Sequence, residues 1–242
     1  SDMEGFLLKE PAPLKGKLTT LRLPTRQLLA GKKRFVHFYQ PPEKQPVPLL
    51  VMWDGKEYLE RAQLPNLIEE LVEAGKIQPV ALALIENGGR YRTMEYLCSE
   101  ATIGFLQISV IPAALQQLNI VSPQDKQGCM AIGGASFGGL MALYTALRMP
   151  NWFGKVLSQS GAFSIGDQKL VVWSLIEHQQ ALPLTIWLDC GIYERLIETN
   201  RQMAELLKQK GYCYEYKEST SGHNYPAWRR LLPQALIALF GQ

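Results

Sequence analysis

The residues of this chain best suited to chemistry are a serine, a histidine and a choice of two carboxylates. Ser136 lies in Gly134-Ala135-Ser136-Phe137-Gly138, which fits G-x-S-x-G. That pattern puts a serine on a tight strand-to-helix turn, and its glycines keep bulk away from the adjoining backbone. With 20 glycines and 11 serines in 242 residues, about 0.08 chance matches are expected, so the setting must support the motif. A serine hydroxyl attacks a carbonyl only when a base takes its proton, and that base needs a third group to hold its ring. His223 sits in the turn-rich loop Ser219-Thr220-Ser221-Gly222-His223-Asn224, between the last predicted strand and the last predicted helix, where such a base belongs. His37 reads as an ordinary strand residue and His178 as a surface helix residue. Asp189, at the end of a predicted strand, and Glu194, three residues after Gly191, both qualify as the acid; spacing alone does not choose. An oxyanion needs preorganised amides, which Phe137 and the turn Asp54-Gly55-Lys56 offer.

These residues need a sheet to carry them. Residues 17–23 and 34–39 alternate as an antiparallel pair of edge strands. Residues 49–53 and 80–85 are continuous apolar runs, as strands buried on both faces should be. The elbow strand begins at Cys129, and residues 153–160, 184–188 and 212–217 supply further strands. Helices are expected at 64–73, 102–118 (disturbed at Pro112), 140–149, 170–178, 199–210 and 228–240, with 86–98 a polar loop carrying Arg90, Arg92 and Glu95. Alternation of strands and helices from residue 49 predicts an α/β fold. Its central sheet is mostly parallel, with antiparallel N-terminal edge strands and helices on both faces. Residues 1–242 read as one domain, with 162–182, the least regular stretch, the place for a small cap insertion.

Composition narrows the class. Hydrophobic residues are 47% and charged residues 19%, enough for a substantial core and unlike a disordered chain. A net charge of +3 with no basic run argues against nucleic acid. Cys98, Cys129, Cys190 and Cys213 form no C-x-x-C pair and read as thiols of a reducing compartment, the cytoplasm. No secretory apolar segment opens the chain, no run approaches the ~20 residues of a membrane span, and Ser1-Asp2 ahead of Met3 reads as a cloning remnant.

The elbow run Gly134–Leu140 continues through Ala142-Leu143-Tyr144, Pro150, Phe153-Gly154 and Val156-Leu157-Ser158-Gln159-Ser160-Gly161. Together these resemble the catalytic domain of the enterochelin (ferric enterobactin) esterases. Those belong to a broader esterase family of α/β-hydrolases that includes feruloyl esterases, S-formylglutathione hydrolases and mycolyltransferases. Asp54-Gly55, Arg92-x-x-Glu95 with Cys98, Gly191-x-x-Glu194 and Gly222-His223 with Trp228-Arg229 extend the likeness over about residues 49–240. The resemblance implies an α/β-hydrolase fold, Glu194 as the acid at the last place of G-x-x-[DE], and Lys56 and Phe137 as the oxyanion amides. Two features depart from it. Cytoplasmic enterochelin esterases usually carry an additional N-terminal domain, for which these residues leave no room, and Gly-Gly-Ala-Ser replaces the commoner Gly-Gln-Ser.

The expectation is therefore a serine esterase with Ser136, His223 and Glu194, or Asp189 in its place, needing no metal or organic cofactor. Arg92, Asp54, Gly55 and Trp228 are expected at the substrate. That substrate is a small-molecule ester, anionic if Arg90, Arg92, Lys56, Arg195, Arg229 and Arg230 gather at the mouth. The ester bonds of a catecholate siderophore such as enterobactin fit; a feruloyl or acetyl ester, or a non-catalytic hydrolase-fold binding module, are the alternatives. Neither nucleic acid nor membrane is expected as a partner.

Overall fold

The computed structural model describes residues 12–241; residues 1–11, with Ser1-Asp2-Met3, and Gln242 lie outside the described residues. Lys17–Pro24 (β1) and Lys33–Gln40 (β2) pair antiparallel along their full length, with Thr20 opposite His37. Leu49–Trp53 (β3) leads into Gly55–Glu60 (α1) and Leu64–Glu73 (α2), and the chain returns as Ala81–Ile85 (β4). Every residue of β3 and β4 is buried. Strand alternation explains the unbroken apolar runs: Leu49, Val51 and Trp53 face one core, while Leu50 and Met52 face another. Each such side chain contributes roughly 1.5–3 kcal/mol by leaving water.

Beyond β4 come Arg92–Tyr96 (α3), Glu100–Phe105 (α4) and Ile111–Gln117 (α5). The expected loop 86–98 is thus partly helical, with a 3₁₀ turn at Gly89–Tyr91 running into α3. The expected helix 102–118 is continuous but wound as a π-helix at Leu106–Val110. Pro112 has no N–H and its ring crowds the carbonyl one turn earlier, so the Ile111 amide reaches back to Leu106 instead. Met130–Ala135 (β5), Phe137–Arg148 (α6) and Phe153–Gln159 (β6) form the centre. Residues 162–182 hold the hairpin Ser164–Ile165 (β7) and Gln168–Lys169 (β8), then Val171–His178 (α7), which packs against α6. Thr185–Gly191 (β9), Ile197–Gln209 (α8), Cys213–Ser219 (β10) and Tyr225–Phe240 (α9) complete the order.

The eight-stranded sheet runs β1-β2-β4-β3-β5-β6-β9-β10, antiparallel through β2·β4 and parallel from there to β10. One core, beneath α5, α6, α7 and α8, holds Phe105, Leu140 and Phe153; the other, beneath α1, α2 and α9, holds Tyr58, Leu67, Trp187 and Leu236. The parallel strands all end on one edge, and the candidate residues leave the sheet there.

Candidate active site

Ser136 is the first residue past β5, with φ 59° and ψ −122°. A non-glycine residue held there stores roughly 1–3 kcal/mol, a cost seen chiefly where function demands it. Two backbone bonds hold it: the Ser136 amide donates to the Gln159 carbonyl at 2.8 Å, and the Ala162 amide donates to the Ser136 carbonyl at 3.1 Å. The flanking glycines are explained by close approach. A Cβ on Gly134 would lie 2.6 Å from the Gly138 carbonyl carbon, so strand and helix could not meet. Phe137 opens α6, and no side chain caps that helix start.

The end of β3, between β4 and β5 in the sheet, is the other corner. Asp54 is buried and left-handed (φ 58°), and its carbonyl accepts from the Glu57 and Tyr58 amides as α1 begins. Lys56, exposed, is the second residue of α1, whose start also lacks a side-chain cap. Arg92 lies at the start of α3 and grips both Asp54 oxygens at 2.6 Å; its Nη2 also donates to the Ala135 carbonyl at 3.2 Å. Asn87 donates to Asp54 Oδ1 at 2.8 Å, and the Asp54 amide donates to the Tyr96 hydroxyl oxygen. Burial alone would ease the proton off Arg92, but Asp54 holds it more firmly than in an ordinary arginine. The guanidinium thus braces the residue before Ser136 against the start of α1, and Arg92 Nη2 lies near Gly138.

His223, 41% exposed at its side chain, meets Glu194 through Nδ1 at 2.6 Å from Oε2. The other Glu194 oxygen accepts from the Ser160 hydroxyl at 2.7 Å and from the Gly191 amide at 2.8 Å. Burial pushes the Glu194 carboxyl up, but His223, Ser160 and the Gly191 amide outweigh it, leaving the group below the usual glutamate range. Trp228 is buried; its indole N–H donates to Ser160 Oγ at 2.8 Å, and its ring stands edge-on to His223 at 4.9 Å.

Asp189 lies apart from the imidazole in its bonding. Its Oδ2 accepts from the Trp187 indole at 2.8 Å and Gln159 Nε2 at 3.1 Å, while Oδ1 is buried without a partner. Burial lifts its pKa to about 7 despite those two donors. Of the two candidate acids, it is Glu194 that touches His223. His37 instead bridges Thr20 at 2.8 Å and Glu86 at 2.9 Å across the edge strands, and His178 bonds the Ser174 carbonyl at the end of α7.

Four residues of this region carried no chemical signal in the sequence: Gln159, Ser160, Asn87 and Tyr96. Gln159 and Ser160 fell inside the run that carries the family likeness, yet only pairing across the sheet gives them partners. Gln159 is opposite Ala135 on one side and Asp189 on the other. Among the described residues no group of three His, Cys, Asp or Glu side chains is placed to hold a metal.

A mostly parallel sheet with a strained serine at the end of a central strand, and an imidazole–carboxylate pair on the same edge, is the α/β-hydrolase fold. The chain belongs to the esterase family: residues 29–239 match its model, described as "Putative esterase". An iron(III) enterobactin esterase of Dickeya dadantii is 30% identical over 199 residues, 75% of this chain and 45% of that protein. The enterobactin esterase of Shigella flexneri, crystallised in the presence of enterobactin, superposes with a TM-score of 0.82 at 24% identity, over 94% of this chain and 59% of that one. A ferulic acid esterase superposes at 0.77 and 16% identity, over 93% and 97%. The chain spans about half the length of the curated relatives it matches.

Proposed function

We propose that the protein is a serine carboxylic-ester hydrolase whose nucleophile, base and acid are Ser136, His223 and Glu194. The observation that carries this reading is the 2.6 Å His223–Glu194 contact on the same sheet edge as the strained Ser136. In acylation, the Ser136 oxygen bonds to the ester carbonyl carbon while its proton passes to His223 Nε2. The tetrahedral oxyanion is met by the amides of Phe137 and Lys56, each at an uncapped helix start. Collapse breaks the ester C–O bond, and His223 returns the proton to the departing alcohol. Water then attacks the acyl-enzyme with His223 as base, releasing the acid and restoring Ser136. Glu194 holds the imidazole by Nδ1 and stays ionised. No metal or organic cofactor enters these steps.

The substrate we favour is a catecholate ester of the enterobactin kind, because curated relatives at 28–30% identity are named iron(III) enterobactin and salmochelin esterases. The second reading is a feruloyl or acetyl ester; a ferulic acid esterase shares the fold, and this chain covers it almost completely. Ser136→Ala tests the chemistry: turnover of p-nitrophenyl butyrate should fall by roughly 10⁶ with folding intact, and fluorophosphonate labelling should vanish. Wild-type turnover in that variant would end the assignment. A binding module without catalysis would leave even the unaltered protein unlabelled. The ratio of kcat/KM for a catecholate trilactone to that for a feruloyl ester separates the two substrate readings, and we expect it to exceed one.

A further inference from the structure

Two serines of this sheet edge share one backbone habit. Ser136 and Ser160 each stand one residue past a parallel strand, with φ 59° and 48°. Each donates its amide to the carbonyl of the adjacent strand's last paired residue: Ser136 to Gln159 at 2.8 Å, Ser160 to Asp189 at 2.7 Å. Left-handed backbone at a non-glycine residue persists only where the surroundings impose it. For Ser136 the chemistry supplies a reason. Ser160, fully buried, cannot touch substrate.

What the strained turn does is aim the Ser160 hydroxyl. Oγ donates to Glu194 Oε1 at 2.7 Å and accepts from the Trp228 indole at 2.8 Å. A hydroxyl has one proton, and the indole N–H is a donor only, so the direction of both bonds is determined: Trp228 to Ser160 to Glu194. The carboxylate then presents its other oxygen to His223 Nδ1. Trp228 belongs to α9, which starts two residues after His223, and its ring also packs edge-on against that imidazole. One bridge therefore ties the ends of β6 and β9 to the loop that carries the base.

Resting on the assignment of Ser136, His223 and Glu194 made above, we propose that Ser160 is a positioning residue. Its hydroxyl, oriented by the Trp228 indole, fixes the Glu194 carboxylate so that it holds His223 in the productive tautomer and plane. The other titratable groups in electrostatic reach of Glu194 are Asp189 and Cys190 on β9, and Glu218 on β10 acts on Cys190. None of them bonds the Glu194 oxygens.

Ser160→Gly tests this, since glycine takes the left-handed turn without strain and loses the hydroxymethyl group, while Ser160→Ala removes the hydroxyl alone. With p-nitrophenyl butyrate, kcat should fall about tenfold and KM stay within about twofold. The acid limb of kcat/KM should move up by about half a pH unit or more, because the Glu194 carboxylate without that donor takes a proton more readily. Ser160→Ala should behave alike. Trp228→Phe, which keeps an aromatic ring but removes the indole N–H, should show a smaller loss. In a Glu194→Ala background, Ser160→Gly should cost nothing further. Folded Ser160→Gly and Ser160→Ala proteins with wild-type kcat and an unmoved acid limb would overturn the proposal, as would a further full tenfold loss in the Glu194→Ala background. Ser136→Ala, run alongside, keeps the two ideas apart: abolished turnover there, with Ser160→Gly unchanged, sinks only the positioning role.

Discussion

Glu194 and Asp189 are both buried carboxylates at the end of the same strand, and their surroundings push them in opposite directions. Glu194 meets three donors, one of them an imidazole, and is held as an anion. Asp189 has two neutral donors on one oxygen and none on the other, so burial wins. The functional consequence for Glu194 is direct: Glu194→Gln, which gives the imidazole the wrong partner, should lower kcat on p-nitrophenyl butyrate by about 10⁴. For Asp189 the consequence is a stability profile. The native state keeps its proton up to about pH 7, whereas the unfolded chain releases it near the usual aspartate value of about 4. Across that window the native state binds more protons, so unfolding free energy falls as pH rises and levels off above it. Glu194 has the opposite sign, its contribution fading only as pH drops below about 4.3, outside the range that matters here. Asp189→Asn should therefore flatten the decline in Tm between pH 5 and pH 8; an unchanged slope would refute the neutral-acid account.

At the scale of elements, α3 shows how much of a short helix is made by its ends. Five residues cannot hold a helix by propensity. Arg92 clamps Asp54 and the Ala135 carbonyl, Glu95 accepts from Arg34 of β2 at 2.6 Å, and Thr102 of α4 donates to the Glu95 carbonyl. The spacing Arg92-x-x-Glu95 was visible in the sequence, but its partners, Asp54 and Arg34, are 38 and 61 residues away. Arg34 and Glu95 are 7% and 4% exposed at their side chains, so removing one strands a buried charge. Arg34→Met should cost about 3–5 kcal/mol in urea unfolding, and the double change with Glu95→Met should recover most of it. Equal loss in the single and double variants would show that packing, not charge, is at stake. The hairpin β7–β8 and helix α1 escaped the sequence for a related reason. Both are shorter than any periodicity can register, and α1 exists because Gly55 lets it lie against the Leu84–Ile85 backbone.

For the molecule as a whole, parallel strands turn sequence order into spatial order. Lys56 follows β3, Arg90 follows β4, Arg195 follows β9 and Arg229 follows β10, so all four cations lie toward the carboxyl edge that carries Ser136. The charges of Asp54 and Arg92 cancel in their pair, Arg61 stacks over Tyr225 at 4.9 Å, and Arg229 bonds Gln63 at 2.7 Å. With a net charge of +3, this edge should draw in anions through a field that salt screens over about 8–10 Å. We therefore expect kcat/KM for an anionic aryl ester to fall severalfold as sodium chloride rises from about 0.02 to about 0.5 M, with a neutral ester of the same acyl group unaffected. Parallel falls for both esters would mean that the cations do not steer substrate. At the lateral edge of the sheet, β10 carries exposed Glu215, Lys217 and Glu218, charges that discourage pairing with another sheet.

The sequence by itself determined the alternation of buried strands and helices, the elbow at Ser136 and the place of His223 after the last strand. These are local or periodic properties, written in neighbouring residues. Only the tertiary structure decided which carboxylate meets the imidazole. Asp189 and Glu194 are five residues apart, and the choice turns on where Trp187, Gln159, Ser160 and Trp228 place their donors. The same holds for Arg92, whose residue type promised a ligand contact and whose surroundings bind it to Asp54 and Ala135. A charged group buried at a sheet edge takes whatever partner packing brings within about 3 Å, and that partner is set by strand register across the sheet rather than by spacing along the chain.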